Sequence, residues 1–224
     1  MTSESNDTIQ FYHGGRDWVG PFEVSPKNSK VMEYGPGLYL TNGIETARHY
    51  ARGGGIVQTV DVDPNARLLS GVKSGVGHME QFIAANRVRS GKKVIANLHR
   101  NAERHGSDRI GLDYLITLMI NHNALTPSVA APLNEFIVGE GADLDVFSAP
   151  MFGSAGGGSD QWVVVFNPEV VVARARVDMK AFDWSRTHLP TYEEQMAALA
   201  LNNEVDPLGT AVCAEQYAGK RPSL

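Results

Sequence analysis

Cysteine is almost missing from this chain, with Cys213 alone among 224 residues. One thiol cannot close an intramolecular disulfide, and cysteine-rich zinc sites are excluded. A lone cysteine near the C-terminus is more often a bystander than a nucleophile, so we assign Cys213 no catalytic role. The histidines show no ligand spacing typical of a metal site. We therefore expect no metal.

Long apolar runs are missing as well. None approaches the ~20 residues that cross a bilayer, so we expect no membrane association. The first seven residues, MTSESND, are polar and acidic and lack the basic start and apolar core of a secretory signal. The sequence predicts a cytoplasmic protein, and delivery into another cell by a route that reads no N-terminal signal stays open.

Internal repeats and the familiar nucleotide-binding fingerprints are also lacking. Gly35-Pro36-Gly37 has no third glycine to complete a G-x-G-x-x-G motif. Neither glycine-rich stretch, 52–55 or 153–159, is followed by the Lys-Ser/Thr pair of a P-loop. A dinucleotide, if bound, is therefore not held in the Rossmann manner.

The hydrophobic pattern predicts strands at both ends of the chain and helices between them. Strand patterns cover 9–13, 37–41, 56–62, 144–147, 162–166 and 170–173. Helical patterns cover about 77–140 and 191–201. Strands at both ends without regular β-α-β alternation favour an α+β fold. We predict a catalytic domain over 1–178 with a helical insertion at about 77–140, and a C-terminal extension over 179–224.

Two local signals predict where helices begin. Asn42, with Glu45 three residues later, fits a capping box before the helix that carries Tyr50. Thr126 followed by Pro127 is a good helix start, because proline at the first helical position loses no hydrogen bond.

An ordered set of aromatic, histidine and glycine residues suggests chemistry. Tyr39 lies in the strand predicted over 37–41, and Tyr50 lies in the helix that follows it. Two phenols on opposite sides of a slot would hold a flat cationic ring by stacking and cation–π attraction. His13 offers an imidazole for a sugar hydroxyl, and Gly14 allows close backbone approach. Singly, each residue would be interpreted as packing or turn; together and in this order they favour a binding site.

These segments resemble a known family. Tyr12-His13-Gly14-Gly15, the stretch 35–41 (GPGLYLT) and the stretch 47–51 (ARHYA) are similar to the H-Y-E branch of the ADP-ribosyltransferase superfamily. That branch includes diphtheria-toxin-like and poly(ADP-ribose) polymerase-like enzymes. The match covers the first quarter of the chain and a strand near residue 162. The resemblance implies an ADP-ribosyltransferase-like split β-sheet core with a helical insertion, and NAD as co-substrate.

The resemblance also implies roles for individual residues. His13 would bond the nicotinamide ribose, Gly14 the carboxamide, and Tyr39 and Tyr50 would enclose the ring. Thr41, at the end of the same strand, joins these as an NAD-binding residue. The family's auxiliary small hydroxyl corresponds here to the region of Thr46 and Ala47.

The family's glutamate has no direct equivalent in this sequence. Gln161 is the counterpart at the start of the late strand, and Asp160 precedes it. Neighbouring strand residues point to opposite faces, although a bulge could exchange them. We favour Gln161 over Asp160 as the third catalytic residue. The glycine-rich loop Gly153–Ser159 is expected to recognise the target.

The resulting prediction is a mono-ADP-ribosyltransferase that transfers ADP-ribose from NAD to a macromolecular acceptor, as a toxin or effector. Two alternatives stay open: an NAD glycohydrolase and a weakly active NAD- or ADP-ribose-binding module. The acceptor could be protein or nucleic acid. The segment Arg87–Arg109 holds seven basic residues against two acidic ones in a protein of net charge −5, and this basic patch could steer an acidic acceptor.

Overall fold

The computed structural model describes residues 8–17, 34–150 and 159–205. Eight strands lie in this part of the chain: β1 Ile9–Gly15, β2 Leu38–Thr41, β3 Ile56–Val62, β4 Lys73–Gly75, β5 Arg109–Gly111, β6 Leu144–Pro150, β7 Ser159–Val165 and β8 Val171–Arg176. The helices are α1 Ile44–Tyr50, α2 Val76–Ala85, α3 Gly91–His105, α4 Leu112–Asn121, α5 Pro127–Gly139 and α6 Tyr192–Val205.

Six strands form one antiparallel sheet in the order β6-β7-β2-β1-β3-β8. The other two, β4 and β5, form a small ribbon among the helices. The prediction of a mixed α+β architecture is therefore confirmed. Helices α2 to α5 occupy the span between β3 and β6, where the sequence has its helical pattern.

Strand alternation gives the sheet two apolar faces. On one face Phe11, Leu40 and Val163 pack together with residues of α6. On the other face, Tyr12 and Val57 pack under α1. Further along this second face, Val164 and Phe166 belong to the same buried cluster as α2, α4 and α5. The sheet is therefore covered on both sides, and the helical region shares its core.

The start of α5 agrees with the sequence prediction. Pro127 is its first residue and Thr126 its N-cap, whose backbone oxygen accepts from Val129 and Ala130. The start of α1 does not agree. The N-cap is Gly43, with no side-chain cap. The predicted capping box of Asn42 and Glu45 is wrong because the Asn42 side chain binds Gln161 and Leu189 instead.

The segment before α6 runs beside the β2–α1 junction. Ile44 donates its N–H to the Thr187 carbonyl, and Leu189 donates to the Asn42 carbonyl. Helix α6 then packs Met196 and Leu199 against the sheet. The first part of the C-terminal extension is thus bound to the domain that precedes it.

In the described ranges, no helix is both long enough and apolar enough to cross a membrane. Cys213 and residues 153–158 of the glycine-rich loop lie outside the described residues. The prediction of a target-recognition loop at Gly153–Ser159 therefore stays a prediction.

Candidate functional site

The site begins where β1 and β2 separate. The two strands pair at Tyr12 and Thr41 alone, whereas β1 pairs with β3 along its whole length. Across the gap, His13 Nδ1 lies 3.0 Å from the Tyr39 carbonyl oxygen. A carbonyl only accepts, so Nδ1 is the donor, and Nε2 of the neutral ring has acceptor character. The side chain of His13 thus joins two strands whose backbones have parted.

Burial determines the charge of this histidine. It lowers the pKa of His13 below the ordinary 6.5, and the hydrogen bond to the Tyr39 carbonyl opposes the shift without cancelling it. The imidazole is therefore neutral at pH 7. A neutral ring is the form that can accept a hydrogen bond from a sugar hydroxyl.

The glycines after His13 leave room for close contacts. A Cβ on Gly14 would overlap the carbonyl oxygen of Ala47 in α1. A Cβ on Gly15 would lie 2.7 Å from His13 Nε2. Glycine at these positions therefore lets the end of β1 approach α1 and leaves space beside the imidazole.

The two tyrosines meet at Trp162. The Tyr39 ring stands edge-on to the indole at 6.5 Å between centroids, and the Tyr50 ring at 5.5 Å. Trp162 is 6% exposed and Tyr50 is 38% exposed. The predicted tyrosines are thus joined through an aromatic residue that the sequence reasoning did not select, although Trp162 directly follows Gln161.

The Tyr39 hydroxyl is held by the segment just before β2. It donates to the Gly35 carbonyl at 2.8 Å and accepts from the Tyr34 N–H at 3.1 Å. The Tyr34 ring in turn stacks on Phe147 at 3.9 Å. These contacts fix the orientation of the Tyr39 ring.

Gln161 and Asp160 lie on opposite faces of β7. The pairing with β6 is regular through both residues, so no bulge exchanges them. Gln161 shares the face of α6: its Nε2 donates to Glu193 Oε2 at 2.7 Å, and its Oε1 accepts from the Tyr192 N–H. The side-chain amide of Gln161, the favoured third residue, is therefore hydrogen-bonded to the start of α6. The sequence did not predict these contacts.

Asp160 is on the same face as Trp162 and is fully buried. Its Oδ1 lies 3.0 Å from His188 Nε2, and its Oδ2 lies 3.5 Å from Thr41 Oγ1. The same Thr41 hydroxyl accepts from the Gly43 N–H at 3.2 Å. Thr41, predicted as an NAD contact, is itself buried, and its hydroxyl is engaged within the protein. His188 covers the Asp160 carboxylate.

One more carboxylate lies on the tyrosine face. Asp145 pairs with Val164, and Val164 pairs with Tyr39. Burial raises the pKa of Asp145, and the nearby Asp113 raises it further. Both carboxylates line a cavity of about 100 Å³, together with Tyr34 and Phe147. No motif in the sequence pointed to Asp145, since only the sheet pairing places it there.

The predicted basic patch lies on and around α3. Its seven basic residues are all exposed: Arg87, Arg89, Lys92, Lys93, Arg100, Arg104 and Arg109. Arg100 bonds Asn97 and Arg109 bonds the Lys73 carbonyl. Within the described ranges no salt bridge neutralises any of the seven. The helix thus presents a positive surface in the helical region.

Among the predicted residues, His13 thus contacts Tyr39, Gly14 lies against α1, and Tyr39 and Tyr50 both contact Trp162. Gln161 and Asp160 flank this group on the two faces of β7. Among residues 8–17, 34–150 and 159–205, no group of three or more His, Cys, Asp or Glu side chains could hold a metal.

Compared with known proteins, the chain matches no family model, no curated protein and no solved structure.

Proposed function

We propose that this chain has an ADP-ribosyltransferase-like fold and is a mono-ADP-ribosyltransferase, which binds NAD at the gap between β1 and β2. The hydrogen bond from His13 to the Tyr39 carbonyl is the observation that carries the proposal. It sets a neutral imidazole, with Nε2 as an acceptor, at the point where the strands part. It also fixes His13 next to one of the two tyrosines proposed to hold the ring.

The aromatic group suits the nicotinamide ring of NAD. Nicotinamide in NAD is flat and cationic, so it gains both stacking and cation–π attraction from tyrosine faces. Trp162 contacts the rings of both Tyr39 and Tyr50 edge-on, which restricts their orientation before a ligand binds. His13 Nε2 then accepts from a hydroxyl of the attached ribose, and the backbone of Gly14 meets the carboxamide.

The reaction breaks the bond between ribose C1″ and the ring nitrogen. The electron pair goes to nicotinamide, which leaves as a neutral molecule, and an acceptor nucleophile bonds C1″ and loses its proton. Such a step depends on positioning and on stabilising positive charge at the sugar. Gln161 supplies only an amide dipole, which stabilises that charge less than a carboxylate does.

This weakness favours a second candidate, an NAD- or ADP-ribose-binding module with little turnover. The Gln161 amide is bound to α6, and the Asp160 carboxylate is covered by His188. Both members of the proposed third position are therefore engaged elsewhere in the described structure.

The acceptor is proposed to be acidic. The positive surface of α3 would attract a nucleic acid or an acidic protein face over a distance of about 10 Å at ordinary salt. We propose that the protein acts as a toxin or effector on such a macromolecule.

The test measures NAD binding by calorimetry and nicotinamide release by chromatography, with cell extract as the source of acceptors. Tyr50→Ala is the preferred variant, because its side chain is partly exposed and its loss should spare the fold. We expect NAD affinity to fall about tenfold or more. Tyr114→Ala, which removes a partly buried tyrosine from α4, is the matched control and should bind NAD like the wild type.

The possible results separate the candidates. Nicotinamide release with label transferred to an extract component supports the transferase. Free ADP-ribose without a labelled acceptor selects the glycohydrolase, and NAD binding without release selects the binding module. A folded wild type that binds neither NAD nor ADP-ribose would overturn all three.

A further inference from the structure

A second pocket lies behind α1. Its volume is about 300 Å³, and it opens between the end of α1, the start of β3 and the end of β8. The wall contains three arginines, Arg48, Arg52 and Arg176, which come from two different elements and the turn after α1. We call this cavity the arginine pocket.

Helix α1 separates the arginine pocket from the tyrosine group. Arg48 and Arg52 are four residues apart and share one side of the helical turn. Tyr50 is two residues from each, about 200° around the axis. Tyr50 contacts Trp162, so the arginines face away from the proposed NAD site.

The charge in this pocket is uncompensated within the described chain. None of the three arginines forms a salt bridge with a carboxylate among the described residues. Arg48 instead places its guanidinium 5.5 Å from the centre of the Trp184 ring. Three cations around one small cavity repel one another, and an anion between them would remove that repulsion.

The rest of the wall is apolar. Ile56 and Val57 of β3, with Val177 and Met179 after β8, line the cavity beside the arginines. Guanidinium groups match phosphate oxygens as paired donors, and apolar side chains suit a sugar or a base. A volume of about 300 Å³ is at the lower end of small-molecule sites, which fits a ligand of mononucleotide size.

We propose that the arginine pocket binds an organic phosphate of about mononucleotide size, at a site distinct from the gap that would hold NAD. The phosphate lies among Arg48, Arg52 and Arg176, and the organic part lies on the apolar wall. This inference does not depend on the proposed transferase activity.

Binding is tested by calorimetry with AMP, inorganic phosphate and adenosine as probes. We expect AMP to bind more tightly than inorganic phosphate, and adenosine at least about tenfold more weakly than AMP, because the charge is essential. The double variant Arg52→Gln with Arg176→Gln should lose about tenfold or more in AMP affinity. The side chains of Arg52 and Arg176 are both exposed, so the double variant should retain the fold.

Two controls assign the site. Arg104→Gln removes an exposed arginine from α3 and should leave AMP binding unchanged. Tyr50→Ala alters the proposed NAD site and should also leave it unchanged. Amide NMR signals of Gly55, Val57 and Val177 should move when AMP is added to the wild type.

The proposal is overturned if neither AMP nor inorganic phosphate binds. It is also overturned if the double arginine variant binds AMP as tightly as the wild type, since AMP would then occupy another site. If the protein binds AMP in the arginine pocket but does not bind NAD, this inference is supported and the proposed function is overturned.

Discussion

At the scale of single residues, His13 shows how one side chain compensates for a break in a sheet. Beyond the Tyr12–Thr41 pair, the Tyr39 carbonyl of β2 accepts a hydrogen bond from the His13 imidazole of β1. This bond fixes the imidazole ring and links the two strands beyond their last paired residues. The sequence supplied the residue, and the separation of the strands supplied its partner.

The lowered pKa of His13 gives a pH dependence with a definite sign. The unfolded chain binds a proton at His13 near pH 6.5, while the folded chain resists protonation to lower pH. The stability contributed by the neutral ring is therefore full above pH 6.5 and is lost as pH falls through the folded pKa. We expect the NMR titration of the His13 ring to have its midpoint below 6.5.

The matched variant is His13→Gln, which cannot titrate. The difference in unfolding free energy between wild type and variant, measured in urea at pH 7.5 and 5.5, should shrink at the lower pH. A His13 titration at or above 6.5, or a difference that grows on acidification, would contradict the assigned burial and charge.

At the scale of elements, β7 and α6 are joined through Gln161. The amide receives the Tyr192 N–H and donates to Glu193, so it satisfies polar groups in the first turn of α6. The hydrogen bond from Gln161 lowers the pKa of Glu193, which keeps that side chain ionised as an acceptor. A glutamine is suited to this position because it carries both a donor and an acceptor.

This link predicts the effect of giving position 161 a carboxylate. Gln161→Glu replaces the donor to Glu193 with a second negative charge, and we expect the unfolding free energy to fall by about 1 kcal/mol at pH 7. Adding Glu193→Gln to this variant restores a donor and an acceptor and should recover most of the loss. Urea unfolding of the two single variants and the double variant measures the coupling.

Urea unfolding of the same variants at acidic pH is the control for the Gln161–Glu193 pair. Below about pH 4 the two carboxyls become protonated, so the penalty of Gln161→Glu should fade. A single variant as stable as the wild type at pH 7 would show that the Gln161–Glu193 bond does not hold α6. Nicotinamide release by the double variant also reports whether a carboxylate at 161 aids turnover.

At the scale of the whole molecule, the helical region and the sheet share one core. Phe166, just past β7, is fully buried in the cluster built by α2, α4 and α5. Asn134 of α5 donates to the carbonyls of Pro36 and Phe166, so it joins this helix to the segments beside β2 and β7. The helical insertion is therefore not a separate unit of packing.

A shared core predicts cooperative unfolding. Phe166→Ala should lower the unfolding free energy by about 3 to 5 kcal/mol, because it removes a large side chain from a filled interior. Helix loss followed by circular dichroism and sheet loss followed by tryptophan fluorescence should shift together in urea. Val172→Ala, at an exposed valine of β8, is the control and should change stability by no more than about 0.5 kcal/mol.

Separate transitions in these two measurements would contradict the shared core. If the helical signal kept its wild-type midpoint in Phe166→Ala while the fluorescence midpoint fell, the insertion would fold on its own.

The sequence by itself determined the mixed α+β class, the helical span between two groups of strands, and the start of α5 at Thr126 and Pro127. These follow from hydrophobic period and local backbone chemistry, which act over a few neighbouring residues. It also placed His13, Gly14, Tyr39 and Tyr50 in the order that suggested a site. Only the tertiary structure decided which side chains meet them. Strand pairing with residues more than a hundred positions away places Trp162 beside Thr41, and places Asp145 on the face of Tyr39. The segment before α6 and its first turn supply the partners of Gln161 and the His188 partner of Asp160. The Asn42 side chain bonds Gln161 and Leu189 instead of capping α1.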